Sequence, residues 1–548
     1  MKEKDIKIYK SDPLIDEELN DKNKESEIIP TKSTEVKNTL KDISMSLKYL
    51  SVVNNRLYLS EIEVNTKQRK ITLKSSKNNF VYLKINFDDF ICFSSESDIQ
   101  EPTKKRLKED FELSTESLEN HQFCRLTYIS NNYIEYNKCC LCCCCKQTGD
   151  IKAAKLYISF FLIQDQLIYK LENELNKLNY CLYPSINEVA LNNRKRRILF
   201  FVNPTSGTGK SLKIWNKAKS IFDLTNIDKK VIYTERPKHA YEVVLNLKIG
   251  DYDGIVNCSG DGILHEILNG IFHREDKATF IDSIVIGTLP AGSANGFSKA
   301  IADYSGDANS LENMCFYIAK GRSKRVDIQE MELRDVDKKV YSFLSLYYGF
   351  IADADLESEG LRCLGMSRTT LWGAYLWAVL RDNYGCLYYL PSESNLSLND
   401  IPPLNQELDE NAFVKVNDNW NLFIAANTKF IGEDILTNPK ANLCDGYHDL
   451  LYLKAADSGR LKLLQYLLCF MDDGHKMFDN NGNISNGIHY CKTRCWRFIP
   501  KTRLTDKDDI TIKHGFDRYY SIDGERYPIC PIQVKTLNEA IRVYSGKE

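Results

Sequence analysis

The chain lacks an apolar run at its N-terminus, and no uninterrupted apolar stretch reaches the ~18 residues that a membrane-spanning helix needs. No secretory signal and no transmembrane helix are therefore expected. Charge of one sign is also missing. The 73 basic and 75 acidic residues leave a net charge of −2, so no overall field favours nucleic acid. No internal repeat is visible. The dinucleotide fingerprint is absent. An ordinary Walker phosphate loop is not expected either: Gly209-Lys210-Ser211 could end one, but Pro204 stands where its first glycine belongs. His265 and Glu266 have no partner at metal-ligand spacing and read as structural. The 18 cysteines are scattered except for one cluster, and without a secretory signal most should be reduced thiols of an intracellular protein.

What is present is a set of three glycine-rich loops, each after an apolar run. Arg197 to Val202 reads as a buried strand and runs into Asn203-Pro-Thr-Ser-Gly-Thr-Gly-Lys-Ser211. A second apolar run ends in Ser259-Gly260-Asp261-Gly262, and a helical stripe of Ile263, Leu264, Ile267 and Leu268 starts at once. A third, Ile284 to Thr288, leads into Leu289-Pro-Ala-Gly-Ser-Ala-Asn-Gly296. Loops of this kind gather at the carboxyl ends of a parallel sheet, where α/β proteins bind nucleotides. Glycines on both sides of Asp261 let backbone approach a ligand closely, and the helix N-terminus behind them favours a phosphate. Asp261 would then stand beside that phosphate, where a base for a hydroxyl is wanted.

At 548 residues the chain has room for three domains, and its 43% hydrophobic content suits a globular protein. Residues 1–40 are polar and are expected to be disordered. Between 41 and 190, short alternating runs at Leu57–Leu59, Ile71–Leu73, Phe80–Ile85, Asp89–Phe93, Cys124–Ile129 and Lys155–Phe161 read as strands. A helical stripe from Gln164 to Leu178 follows them. Strands and then one amphipathic helix suggest a pleckstrin-homology-like β-rich module, by analogy of fold. Basic residues 194–197 lead into the next region. Residues 195–322 alternate strand and helix, and strand-like runs dominate 323–548. Pro391 to Asn411 reads as a polar surface insertion.

In this order the three loop motifs resemble the diacylglycerol kinase catalytic superfamily. Gly349-Phe-Ile-Ala-Asp-Ala-Asp-Leu-Glu-Ser-Glu359 is similar to a block particular to sphingosine kinases. The resemblance covers roughly residues 195 to 530. It implies a nucleotide-binding α/β domain facing a β-sandwich lipid domain. It also implies ATP with Mg2+, and phosphorylation of the primary hydroxyl of a sphingoid base. Asp261 would be the catalytic base. Asn203, Thr205, Ser206, Gly207, Thr208, Gly209 and Lys210, with Thr234, Gly260, Gly262 and Ser293, would contact the nucleotide. Arg362 and Arg368 match two arginines that hold ATP phosphates, and guanidinium forks suit that charge. Asp523-Gly524-Glu525 matches a segment that returns to the nucleotide cleft, its alternative being a plain hairpin turn between Tyr519 and Tyr527. Asp355 would bind the lipid amine, with Ser345 as a second polar contact. Asp353, two residues away, would point to the opposite face of a strand.

A sphingoid base carries a cation close to its reacting hydroxyl, whereas diacylglycerol and ceramide do not. A carboxylate at position 355 therefore disfavours the neutral lipids. A ceramide or diacylglycerol kinase stays as the alternative within enzymes, and a catalytically dead lipid-binding scaffold as the alternative in another class. Leu371–Leu380 and Arg460–Met471 are apolar nearly all round; each is a core helix or the wall of a lipid channel. Thr205 and Thr208 stand where basic residues are usual in animal members of the family, and Pro237 where an arginine is common.

Lys138-Cys-Cys-Leu-Cys-Cys-Cys-Cys-Lys146 places Cys139, Cys140, Cys142, Cys143, Cys144 and Cys145 together. Zinc sites use spaced pairs, and vicinal disulfides are strained. S-acylation fits the cluster best, with a reduced, partly buried strand as the alternative. The expected location is the cytoplasm, at the surface of intracellular or plasma membranes.

Overall fold

A computed structural model describes residues 195–547, except 224, 226, 365–366, 472–486 and 510–517, together with eight strands between 6 and 164. The chain divides into two compact units. One comprises 1–196 with 219–227 and 319–321, and the other the rest of 197–548.

The strands of the first unit are β1 (Ile6–Tyr9), β2 (Ser44–Val53), β3 (Arg56–Asn65), β4 (Lys70–Ser75), β5 (Val81–Asn86), β6 (Phe90–Ser94), β7 (His121–Ser130) and β8 (Lys155–Gln164). They form one sheet in the order β5-β4-β3-β2-β8-β7-β6, with β1 parallel to β8. Each alternating run named above overlaps one of these strands. Two differences stand out. Ile6–Tyr9 is a strand inside the segment expected to be disordered. Strand β2, Ser-Met-Ser-Leu-Lys-Tyr-Leu-Ser-Val-Val, was missed; its alternation is blurred by small polar residues. The cysteine cluster and residues 165–178 of the expected helix lie outside the described residues.

From residue 196 onward the elements run β9 (Arg196–Val202), α1 (Ser211–Phe222), β10 (Ile227–Tyr233), α2 (His239–Asn246), β11 (Gly254–Ser259), α3 (Asp261–Phe272), α4 (Lys277–Ser283), β12 (Val285–Pro290), α5 (Gly296–Ser305) and α6 (Leu311–Lys320). Strands β9 and β11 are buried almost throughout, as parallel strands covered on both faces must be. Strands β11 and β12 pair in parallel, as do β11 and β9.

Then follow β13 (Ser323–Leu333), β14 (Val340–Ser342), β15 (Ser345–Gly349), α7 (Phe350–Glu357), α8 (Ser367–Val379), β16 (Tyr384–Tyr389), β17 (Val414–Ala426), β18 (Phe430–Gly432), β19 (Ile435–Leu436), β20 (His448–Lys454), α9 (Arg460–Met471), β21 (His489–Thr493), β22 (Cys495–Pro500), β23 (Tyr519–Ile522), β24 (Glu525–Pro528) and β25 (Ile532–Tyr544). Strand β25 lies parallel to β12 and antiparallel to β13 and β22, so one mixed sheet runs on from the parallel strands. The region near Asp355 is a helix, α7, where a strand was expected. The glycine before it, Gly349 at φ 79°, turns the chain out of β15.

Alternation along the antiparallel strands builds two cores. Leu346, Tyr348, Trp420, Phe423, Leu450 and Tyr452 face one way, among Trp496, Phe498 and Tyr520. Tyr347, Leu422, Ile424, Leu451 and Leu453 face the other, against Phe350 of α7, Leu376 of α8 and Leu463 of α9. The segment between β16 and β17 is packed rather than loose. Ile401 and Leu390 join a small core there, and the buried Arg497 donates to the carbonyls of Pro403 and Gln406.

Candidate active site

The three glycine-rich loops meet at the carboxyl ends of β9, β11 and β12. Asn203 shapes the first: its Oδ1 accepts the Thr205 N–H (3.1 Å) and hydroxyl (2.9 Å). Ser206, Gly207, Thr208 and Gly209 form a single 3-10 turn before α1. Gly209 has φ 81°, and Lys210 is exposed beside it. The Ser206 hydroxyl accepts the N–H of Gly260 in the second loop (3.3 Å). A Cβ on Gly292, in the third loop, would lie 2.2 Å from the Cα of Gly260, so the two loops touch backbone to backbone. Asn295 closes the third loop, accepting the Gly292 N–H (2.8 Å) and returning a bond to its carbonyl (3.1 Å). Ser293 is exposed at the tip of that loop. Thr234 is buried at the end of β10, and its N–H bonds the carbonyl of Val202 just before the first loop.

Asp261 opens α3, and its carboxylate also accepts the first N–H groups of α5, from Gly296 (3.0 Å) and Phe297 (3.4 Å). One carboxylate thus serves two helix N-termini, which favours its ionised form. Burial works against this and is the larger effect: the Asp261 carboxyl is pushed up to about 6. A base near neutral pH, held rigidly at the junction of the loops, is suited to accepting a proton from a hydroxyl.

Residues 523–525 join the site from far along the chain. Asp523 (φ 51°) and Gly524 (φ 85°) form the two-residue turn between β23 and β24. Both positive angles match the turn type that suits a hairpin. Glu525 reaches the second loop: its Oε1 is 2.7 Å from where a Cβ on Gly262 would stand. Asp523 requires a correction, since its carboxylate faces inward and is fully used. Oδ1 accepts from the Ser342 hydroxyl (2.7 Å) and the N–H groups of Leu344 (3.0 Å) and Ser345 (3.1 Å); Oδ2 pairs with His265 Nδ1 (2.8 Å). Asp523 therefore ties the hairpin to α3 and β15 rather than lining the cleft. His265 completes the tie with Tyr527 (2.8 Å). Glu266 accepts the N–H groups of Lys238 and Ala240 at the start of α2.

On α7, Asp353 and Asp355 are still separated by about 200° of helical turn, so they point apart although no strand is involved. Asp353 is buried and held by Arg381 (3.1 Å) and Arg518 (3.4 Å), which fixes the helix. Asp355 accepts the Ser521 hydroxyl (2.7 Å). Burial raises its carboxyl above the usual range, while that hydrogen bond and the charge of Arg368 act the other way. Arg368 lies in α8, and its Nη1 is buried with no hydrogen-bond partner among the described residues. Arg362 belongs to the 3-10 segment Ser358–Leu364. Ser345 is fully buried, and its hydroxyl bonds the Tyr347 hydroxyl. Ser521 and Tyr347 were missed, because nothing in the local sequence marks either as polar neighbours of residue 355.

Helices α8 and α9 are neither plain core nor closed channel walls. Leu376 and Leu463 point inward, but Leu371, Tyr375 and Val379 form an exposed stripe on α8, and Leu461, Leu464 and Leu468 one on α9. The helices are joined by the Trp377 indole N–H, which donates to the Arg460 carbonyl (2.8 Å). No helix among the described residues is long and apolar enough to cross a membrane.

Loops at the ends of parallel strands, with an aspartate starting the central helix, define a nucleotide-binding fold of the lipid-kinase type; residues 197–331 match the diacylglycerol kinase catalytic domain. The chain is 30% identical to human (Homo sapiens) sphingosine kinase 1 over 304 residues, covering 52% of this chain and 78% of that one. It is 29% identical to sphingoid long chain base kinase 4 of Schizosaccharomyces pombe over 367 residues, covering 62% and 73%. A crystal structure of a putative diacylglycerol kinase from Bacillus anthracis str. Sterne aligns with a TM-score of 0.44 at 16% identity, over 64% of this chain and 96% of that one. The chain belongs to the sphingosine kinase family.

Proposed function

We propose that the protein transfers the γ-phosphate of ATP to the primary hydroxyl of a sphingoid base. The observation that carries this is a pair of carboxylates with separate environments. Asp261 sits at the phosphate loops, held by the N–H groups of α5. Asp355 sits beside the apolar cluster of α7, α8 and α9, with one hydroxyl, from Ser521, as its neutral partner. A carboxylate whose charge is penalised by burial gains most from a cationic ligand. The amine of a sphingoid base is such a ligand, and it lies next to the hydroxyl that Asp261 would deprotonate. Ser293, Lys210 and the loop N–H groups would receive the phosphates, with Arg368 supplying charge from α8.

Magnesium carried with the nucleotide needs only one or two protein carboxylates. Glu525, exposed against Gly262, is the candidate for one. When bound, the ion offsets phosphate charge. A bilayer lipid reaches such a pocket from a membrane surface. The exposed stripes of α8 and α9 support that route, and acylation of the 139–145 cysteines would add an anchor at cytoplasmic membrane surfaces.

The test is transfer of labelled phosphate from ATP to sphingosine, ceramide and diacylglycerol. Label in the sphingosine product alone is expected. Label in diacylglycerol or ceramide would move the reading to the neutral-lipid kinases. No label in any product would favour the lipid-binding scaffold.

A further inference from the structure

Asn257 has no role in the chemistry described so far, yet it lies directly beneath the second glycine-rich loop. It is fully buried in β11, in a run whose neighbours Ile255, Val256 and Cys258 are equally buried and apolar. In the parallel pairing it stands level with Phe201 of β9 and Thr288 of β12. A valine would fill such a position at no polar cost. Asn257 instead donates from Nδ2 to the Gly260 carbonyl (2.9 Å), three residues on, and its buried Oδ1 has no partner among the described residues. A carbonyl only accepts, so the atom facing it must be the amide nitrogen and the orphan must be the oxygen. Buried polar atoms are almost always paired, and an exception in a core strand calls for a reason other than stability.

The reason lies in what the bonded carbonyl controls. The Gly260 carbonyl and the Asp261 N–H belong to one peptide unit, and in a planar trans peptide the two point in opposite directions. With the carbonyl held down toward β11, the N–H is turned away from the strand, past its carboxyl end, where the three loops meet. It is the first N–H of α3, so no carbonyl within the helix can take it. Gly260 is a position where this peptide could turn over, because a residue without Cβ admits both orientations. A turned-over peptide would show a phosphate a carbonyl oxygen in place of a donor. The N–H of Gly260 itself donates to the Ser206 hydroxyl (3.3 Å), but that bond belongs to the preceding peptide and leaves the Gly260–Asp261 peptide free to turn.

We propose that Asn257 is a positioning residue for the nucleotide: its amide locks the Gly260–Asp261 peptide so that the Asp261 N–H is offered to a phosphate oxygen of ATP. This rests on the kinase reading and adds to it a residue outside the glycine-rich loops. The same peptide ends at the Cα of Asp261, so the tether holds the phosphate donor and the base in one fixed relation. Asn257 acts through Gly260 and touches no phosphate itself.

The experiment measures ATP binding by calorimetry, KM for ATP and for sphingosine, and thermal melting, in wild type and in Asn257→Leu, which keeps the shape of the side chain and removes its donor. Loss of one well-aimed N–H to a charged oxygen should weaken ATP binding by roughly 10-fold or more. KM for ATP should rise with it, while KM for sphingosine holds and the Tm does not fall, since the orphaned oxygen goes too. ATP affinity equal to wild type overturns the proposal. So does a lowered Tm with ATP and sphingosine affected alike, the mark of a merely structural role. Should Asn257→Leu fail to fold, Asn257→Ser, too short to reach the Gly260 carbonyl, must weaken ATP binding in the same way, and unchanged affinity is equally fatal. Binding read without turnover separates the failures. Wild type that binds ATP but labels no sphingosine overturns the base-kinase reading alone, and the tether is still decided by the affinity ratio. Wild type that binds no ATP overturns both.

Discussion

Replacing Asp261 with asparagine separates what its carboxylate does for the fold from what it does for catalysis. The amide oxygen can still accept one of the two N–H groups of α5, from Gly296 or Phe297. The charge is removed, and with it the cost of burying that charge. A shift from 3.8 to about 6 corresponds to roughly 3 kcal/mol against the ionised form. The sign for stability follows. A raised carboxyl favours the folded state below its unfolded value, and that contribution is lost as pH rises from 3.8 through about 6. At neutral pH the wild-type protein therefore carries an unfavourable buried charge that Asp261→Asn lacks. The variant should melt no lower than wild type at pH 8. Its kcat should fall by roughly 10²–10⁴, the usual worth of a positioned base. In wild type, kcat/KM should decline on the acid side around pH 6, with about nine-tenths of Asp261 ionised at pH 7 and about one-tenth at pH 5. Phosphate-transfer kinetics from pH 5 to 8, with thermal melts of both proteins, check all three statements. Near-wild-type turnover in Asp261→Asn, or an acid limb that persists unchanged in its residual activity, would refute the assignment.

Three further outcomes are expected. Asp355→Asn should raise KM for the sphingoid base far more than KM for ATP, since breaking one side of a desolvated charge pair costs ~2–5 kcal/mol; equal effects on both substrates in steady-state kinetics would count against amine recognition. Gly292→Ala forces a Cβ to within 2.2 Å of the Gly260 Cα, so the loops must part; overpacking costs about 1–3 kcal/mol, and calorimetry should find weakened ATP binding with a lowered Tm. Serine at all six of positions 139, 140, 142, 143, 144 and 145 should move the protein from the membrane to the soluble fraction while activity on detergent-dispersed base holds, because two or more acyl chains anchor where one does not. Palmitate-analogue labelling that is absent from wild type would remove the acylation reading.

Local sequence was enough for the three loops. Each apolar run forms a strand because a buried parallel strand needs no polar alternation, and each Gly-rich segment forms a turn because its backbone must approach another. The Gly260–Gly292 contact and the start of α3 at Asp261 are consequences of chain chemistry a few residues long. The same local signals misled at α7, where the strand pattern of β15 was carried past Gly349 into a helix. They also misled at Asp523, whose motif position suggested the cleft although its carboxylate is turned inward. What tertiary structure alone decided is which groups become partners over long separations. Ser521 reaches Asp355 across 166 residues, His265 meets Asp523 across 258, and Tyr347 comes to stand opposite Ser521 through the pairing of β15 with β23. These depend on the register of antiparallel strands. A one-residue slip would turn each side chain to the opposite face, and no short window of sequence records that register.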